Sequence, residues 1–363
     1  MNITFLIGNG FDLNLGLKTR YTDFLEEYLK DESGDSKEIQ RFKADIRKQN
    51  LEDSNTDKCL WANAELAFGE YTDEIANQGL KADSFSIRHS DFCRKLAVYL
   101  QKQEERICIQ THEEDFVKAI LEFSSGLTNV QKGAVNDSMR YFGGGYSFNF
   151  LVFNYTCIID QLYNSMQEMK VNLGMRVFRD VSYQNSLGRI LHVHGTTKRD
   201  MVFGVHGESQ IKNMSIFEGV SPFYLDSFIK QRTNAIYEAN TDENAQSIVR
   251  ESELIYIYGM SIGETDTLWW ERIIKRMKAE PHLHVFIYCI DAPKEELLRV
   301  NRKIYEAEKK EHFLQFAAGD NSALKERIHI VDNNIFGALT NIATPSDDVQ
   351  SMKTDIVELR KTS

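Results

Sequence analysis

Apolar residues open the chain as a short uninterrupted run, Ile3-Thr4-Phe5-Leu6-Ile7, which is rich in β-branched side chains and stopped by Gly8-Asn9-Gly10. That pattern predicts a buried strand entering a tight turn. A helix is predicted next, over about 22–29. Between 31 and 58 charged and polar residues dominate, which predicts an exposed helix flanked by loops and gives the stretch the look of an insertion. From 60 to about 142 the spacing turns helical, with Trp61, Ala64, Glu65 and Phe68, then Phe92, Leu96, Tyr99 and Leu100, then Phe116, Ile120 and Phe123.

The run Gly143-Gly144-Gly145 resets the chain into a predicted strand at 146–153, followed by a helix over about 158–169. Further strands are predicted at 189–193, 201–205, 253–258, 284–290 and 329–331, separated by helices at about 222–239, 265–279 and 293–310. Several of these strands lack polar alternation, as strands covered on both faces do. The fold class expected is α/β, a doubly wound, mostly parallel Rossmann-like sheet with a helical insertion after the first strand. The division expected is 1–30 for the first strand and helix, 31–142 for the helical insertion and 143–345 for the rest of the nucleotide-binding core. Residues 346–363 are expected to be either a polar tail or a docked helix carrying Val349, Met352, Ile356 and Leu359.

Length and charge narrow the picture. At ~150 residues per domain, 363 residues allow about two domains or one with a large insertion. With 54 acidic against 43 basic residues the net charge is −11, the wrong sign for a chain held on nucleic acid or anionic lipid by its overall field, although a local basic groove stays open. The five cysteines (Cys59, Cys93, Cys108, Cys157 and Cys289) are widely spaced and odd in number, so neither a disulfide framework nor a four-cysteine zinc module is expected. Reduced thiols and the lack of a long apolar run predict a soluble, unexported, cytoplasmic protein without a membrane span.

Ligands of doubly wound sheets bind beyond the carboxyl ends of the strands, and four such places carry polar chemistry. Gly8-Asn9-Gly10-Phe11-Asp12 lets backbone approach a phosphate, but the third glycine of a dinucleotide fingerprint would fall at Leu13, so a plain glycine turn stays equally open. Asn154 and Thr156 follow the 146–153 strand, where the carboxamide suits ribose hydroxyls or a water and either residue suits a helix N-cap. His192-Val193-His194-Gly195-Thr196 puts two histidines on one strand face. A metal pair, with His206, Asp200 or Asp12 as further ligands, competes here with a single general base and with a bonded core histidine. Gly195 would clear space for a ligand. Gly259-Met260-Ser261-Ile262-Gly263-Glu264-Thr265-Asp266 offers either a Ser261/Glu264 capping box or a loop whose Ser261 faces nucleotide, with Asp266 in the next helix's first turn. Trp269 and Trp270 are candidates for an interaction surface, with core burial the commoner outcome.

The combination of Leu6-Ile7-Gly8-Asn9-Gly10-Phe11-Asp12-Leu13, Tyr21-Thr22-Asp23-Phe24, Trp61 with Glu65, Phe153-Asn154-Tyr155-Thr156, His192-Val193-His194-Gly195, Phe203-Gly204-Val205 and Tyr258-Gly259-Met260-Ser261-Ile262-Gly263-Glu264-Thr265-Asp266 resembles the bacteriophage abortive-infection AbiH family, from residue 3 to about 270. That resemblance implies a bacterial anti-phage defence protein and names no reaction. The order of glycine turn, Asn, His-Gly and Gly-x-Ser is also similar to the NAD-binding core of sirtuins and sirtuin-like NADases. Carried over by motif, that likeness implies a pyrophosphate cradle at Gly8 and Gly10, handling of the nicotinamide ribose by Asn154, a base at His194 and adenosine contacts at Gly259 and Ser261. Two departures stand against a full match. Thr156 occupies the place of an acidic residue, and the sirtuin zinc module is missing, which disfavours deacylation.

The function expected is an abortive-infection effector that binds NAD or a related nucleotide and hydrolyses it to nicotinamide and ADP-ribose, with His194 and Asn154 catalytic. Gly8, Asn9, Gly10, Phe11, Asp12, Thr156, Gly195, Gly259, Ser261 and Asp266 are the candidate binding residues, and no metal is expected. Two alternatives remain open: a non-catalytic nucleotide sensor, and a metal-dependent nuclease or phosphohydrolase. A homo-oligomer and a phage-derived trigger are the candidate partners, and residues 60–142 offer a place for assembly.

Overall fold

In the computed structural model the described residues are 1–53, 63–236, 241–293 and 299–340. Cys59, Trp61 and the proposed tail helix lie outside them. Six strands, β1 (Asn2–Ile7), β2 (Ser147–Val152), β5 (Ser186–His192), β6 (Leu254–Tyr258), β7 (His284–Tyr288) and β8 (Ile328–Val331), form one parallel sheet in the order β5-β2-β1-β6-β7-β8. Two further strands, β3 (Met175–Phe178) and β4 (Val181–Gln184), pair as a separate antiparallel hairpin. Renumbered within the parallel sheet, the strand order is 3-2-1-4-5-6, that of a Rossmann-like doubly wound fold.

Alternation along β1 explains both coats of the sheet. Ile3, Phe5 and Ile7 point to one face, with Phe148 and Phe150 of β2 beside them, and Phe5 stacks on Phe150 at 5.5 Å. Helices α6 (Glu113–Leu121), α7 (Asn129–Phe142) and α8 (Ile158–Glu168) cover that face through Phe116, Ile120, Val135, Ile159 and Leu162. Leu6, with Leu151, Ile255 and Ile257, points to the other face, which α11 (Thr241–Glu251), α12 (Thr267–Ala279) and α13 (Arg299–Leu314) cover. Trp269 and Trp270 are buried in this second core, so they are packing residues.

The helices between β1 and β2 serve two layers. While α6 and α7 join the sheet, α2 (Tyr21–Lys30), α3 (Lys37–Asp53), α4 (Ala64–Asn77) and α5 (Ala82–Glu104) build a third core around Phe24, Phe42, Phe68 and Phe92. Tyr155, after β2, and Phe203 and Phe228 complete that core. The helical layer is therefore tied to the end of the sheet where strands finish. Among the described residues, no helix is long and apolar enough to cross a membrane.

Several local expectations need correction. The predicted strand at 201–205 is a buried extended segment with one isolated bridge, Val205 to Ile229; Val202 N–H donates to the His194 carbonyl (2.8 Å) and Val205 N–H to that of Phe228 (3.0 Å). Its β-like composition serves the third core instead of a ladder. The β3–β4 hairpin was not anticipated, because its apolar residues Met175, Val177 and Val181 are exposed and its turn uses Arg179 and Asp180 at positive φ in place of Asn-Gly. Helix α11 carries few apolar residues, Ala245, Ile248 and Val249 facing inward, and so gave a weak periodic signal. The single helix expected over 222–239 is two short ones, α9 (Phe223–Asp226) and α10 (Lys230–Ile236).

Candidate functional site

The topological switch point lies between β1 and β6, whose carboxyl ends lead into the glycine turns. These turns press on one another. Gly8 N–H donates to the Tyr258 carbonyl at 2.9 Å and Gly10 N–H to that of Gly259 at 2.8 Å. A Cβ on Gly10 would stand 2.4 Å from the Gly259 Cα, and one on Gly259 2.6 Å from the Gly10 Cα. Two amides expected to cradle a pyrophosphate are thus engaged by carbonyls, and these glycines account for close backbone packing.

The neighbouring residues sort by the same test. Phe11, in the short helix α1 (Gly10–Asn14), is fully buried edge-on to Phe336 at 5.1 Å and is a core residue. Asn9 accepts from the Thr19 hydroxyl (2.6 Å) and donates to the Thr19 carbonyl (3.0 Å), bracing the loop after α1. At Gly195, where φ is +66°, a Cβ would strike the Asp200 carbonyl at 1.9 Å, so the glycine closes its own turn and clears no ligand space. Ser261 is exposed and caps nothing; α12 starts from Asp266 without a side-chain cap. Ile262 beside it holds φ +52°, a costly conformation for a β-branched residue, and its carbonyl accepts from His312 at 3.1 Å.

Beyond β5, β2 and β1, polar groups converge without being used up. The His194 Nε2 donates to Asp266 Oδ1 at 2.8 Å, while its Nδ1 is buried and has no partner among the described residues. Burial pushes the Asp266 carboxyl up, but Lys230 and His194 outweigh it and hold it well below the usual carboxylate range. An ionised Asp266 can only accept, so the ring carries its proton on Nε2 and leaves the Nδ1 lone pair free. Asn154 is equally buried, with neither amide atom bonded. It is not an N-cap, and nor is Thr156, whose hydroxyl donates to Asp12 Oδ2 at 2.7 Å. The second Asp12 oxygen has no partner within hydrogen-bond distance, and burial, against the Thr156 hydroxyl and the nearby Asn154 amide, pushes the carboxyl up to about 7.

The two histidines do not act as a pair. His192 Nδ1 donates to the Asn154 carbonyl at 2.9 Å and Nε2 faces Asp160, which fixes the Asn154 backbone from below. His194 turns to Asp266 instead. His206 lines a neighbouring cleft, and Asp200 pairs with Arg199 at the surface. Among the described residues no three His, Cys, Asp or Glu side chains are grouped to hold a metal.

Three participants escaped sequence reasoning as site residues. Lys230 Nζ stands 3.4 Å from Asp266 Oδ1 and donates to Glu65 Oε2 at 2.8 Å, and Tyr155 donates its hydroxyl to Glu65 Oε1 at 3.0 Å. Burial pulls the Lys230 ammonium down, but the two carboxylates outweigh it and raise its pKa. The signals were present: Glu65 interrupts the apolar run Ala64–Phe68, and Lys230 follows Phe228 and Ile229. A charge inside an apolar run needs a buried partner. Beside this chain lies a cleft of about 20 Å³ lined by His194, His206, Lys230, Asp266 and Trp269, with room for about one water.

The arrangement provides an acceptor nitrogen on a ring held by a carboxylate and, after the neighbouring strands β2 and β1, a carboxamide without a hydrogen bond and a carboxyl pushed up to about 7. That is equipment for taking a proton from water or a hydroxyl. No curated protein and no solved structure matches the chain. Residues 4–288 match the family model described as "Bacteriophage abortive infection AbiH", and the chain belongs to that family of phage-defence proteins.

Proposed function

We propose that this abortive-infection protein hydrolyses the bond between nicotinamide and ribose in NAD, releasing nicotinamide and ADP-ribose. The observation that carries the reading is the buried Asp266–His194 dyad with a free Nδ1, set with the unbonded amide of Asn154 at the carboxyl edge of a 3-2-1-4-5-6 sheet. The chemistry is economical. As the C1′–N bond breaks, its electron pair returns to the pyridinium nitrogen and nicotinamide leaves neutral, so no general acid is required. Positive charge develops on the ribose carbon, as in glycoside hydrolysis. Water adds to that carbon, its proton passes to His194 Nδ1, and Asp266 stabilises the imidazolium formed. Asn154 orients the water or a ribose hydroxyl, and Asp12 with Thr156 supplies a further polar contact.

Nicotinamide release from NAD by the purified protein tests this. His194→Ala is expected to lower kcat about 10²–10⁴-fold, the usual worth of a general base, and Asn154→Ala to lower it as well, with a chelator making no difference. Binding of ADP-ribose without release by the wild type would replace the enzyme with a sensor. Neither release nor binding would overturn the assignment of NAD.

A further inference from the structure

The charges around the dyad do not cancel. Glu65 and Asp266 bring two carboxylates to one ammonium, Lys230, and these three side chains are largely buried, at 8%, 18% and 6% exposure. One buried negative charge is left over while His194 is neutral. A proton on His194 balances it, and an unbalanced buried charge is what proteins avoid. Glu65 belongs to α4 in the helical layer, bonded to Tyr155 and Lys230 rather than to His194, Asn154 or Asp12.

We propose that Glu65 and Lys230 are positioning residues that set how readily His194 takes a proton, through the carboxylate of Asp266 that Lys230 and His194 share; the proposal rests on His194 being the base described above. Without the Glu65 charge, Lys230 and Asp266 balance each other and the proton is less welcome. Without the Lys230 charge, two carboxylates face the ring and it is more welcome. The other titratable groups facing this set are Tyr21, Tyr155, Cys93, His206 and Asp242. Burial raises both tyrosines and the thiol and lowers His206, which keeps all four neutral at cellular pH. The Asp242 carboxylate accepts from Asn234 at 3.0 Å.

The test is a ring titration by ¹⁵N-histidine NMR, with the His194 signal identified by its loss in His194→Gln. Glu65→Gln is expected to move the midpoint down by about one pH unit and Lys230→Met up by about one, a tenfold change in protonation each way. The double variant returns close to wild type, and Lys230→Arg, which keeps the charge, stays there. Midpoints that do not move, or that move in the same direction, overturn the proposal, because loss of packing alone has no reason to give opposite signs. Should Lys230→Met not fold, the near-isosteric Glu65→Gln still carries the sign. Nicotinamide release measured across the same pH range separates the two claims. Rate profiles that follow the ring midpoints support both, whereas shifted midpoints without release in any form sink the NAD reading and leave the charge coupling standing.

Discussion

Replacing Gly259 by alanine distinguishes close packing from phosphate binding at the switch point. The residue sits at φ +67°, and its new Cβ would lie 2.6 Å from the Gly10 Cα and 2.8 Å from the Phe11 nitrogen, all backbone atoms that cannot turn aside. The left-handed conformation costs a non-glycine residue about 1–2 kcal/mol, and forcing an extra carbon into packed surroundings costs about 1–3 kcal/mol. Together these give roughly 2–5 kcal/mol, a large share of the ~5–15 kcal/mol that holds a typical domain. Gly10→Ala meets the same contact from the other side, at 2.4 Å, without the φ cost, so about 1–3 kcal/mol is expected. Gly207, whose Cβ would enter open space, is the control and should lose nothing. Urea unfolding followed by circular dichroism measures all three. If Gly10→Ala and Gly259→Ala unfold at the wild-type midpoint but no longer bind nucleotide, the packing argument is wrong and the phosphate cradle is restored.

Two pH-dependences follow from buried groups. Asp12 titrates near 7 in the folded chain and near 3.8 once unfolded, so its contribution is greatest below about 4 and is lost as pH rises to about 7; Asp12→Asn should flatten that slope by roughly 2–4 kcal/mol in stability measured between pH 4 and 8, and an unchanged slope would count against the burial argument. His329, buried against His284 Nδ1 at 3.0 Å, is pushed down to about 3 by burial and by that neighbour. Its stabilisation is complete above about 6.5 and fades as pH falls toward 3. His329→Gln should therefore lose less stability than wild type between pH 7 and pH 4, and a parallel loss in both would refute the assignment.

The sheet was readable because parallel strands buried on both faces announce themselves: Leu254–Tyr258 is five apolar residues in a row, and each such run met a neighbour in register. The carboxyl-edge rule then pointed to Asn154, His194 and Asp266 from their positions after strands. What it could not resolve was the use of each polar group. Whether the Gly10 amide faces a phosphate or a carbonyl depends on how near Gly259 comes, and the 248 residues between them decide that distance. His192 and His194 share a strand motif, yet their partners, Asp160 and Asp266, arrive from different helices. Glu65 and Lys230 were opaque for the same reason, since 165 positions separate two charges that meet at 2.8 Å.

That long-range pairing bears on how an abortive-infection protein can be safe to carry. A nucleotide needs a pocket of several hundred Å³, whereas the cleft at His194 holds about 20 Å³. The proposed hydrolysis of NAD at His194 would therefore require the cleft to part. Lys230 and Asp266 line the cleft, and Lys230 is tied to α4 through Glu65, which in turn accepts from Tyr155, between Asn154 and Thr156. If Glu65 and Lys230 set the proton affinity of His194 as proposed, displacing α4 from Lys230 would change that affinity and the cleft together. On the proposed hydrolysis of NAD, an open crevice with a weakened base, or a strong base in a closed crevice, would leave the cofactor of an uninfected cell untouched.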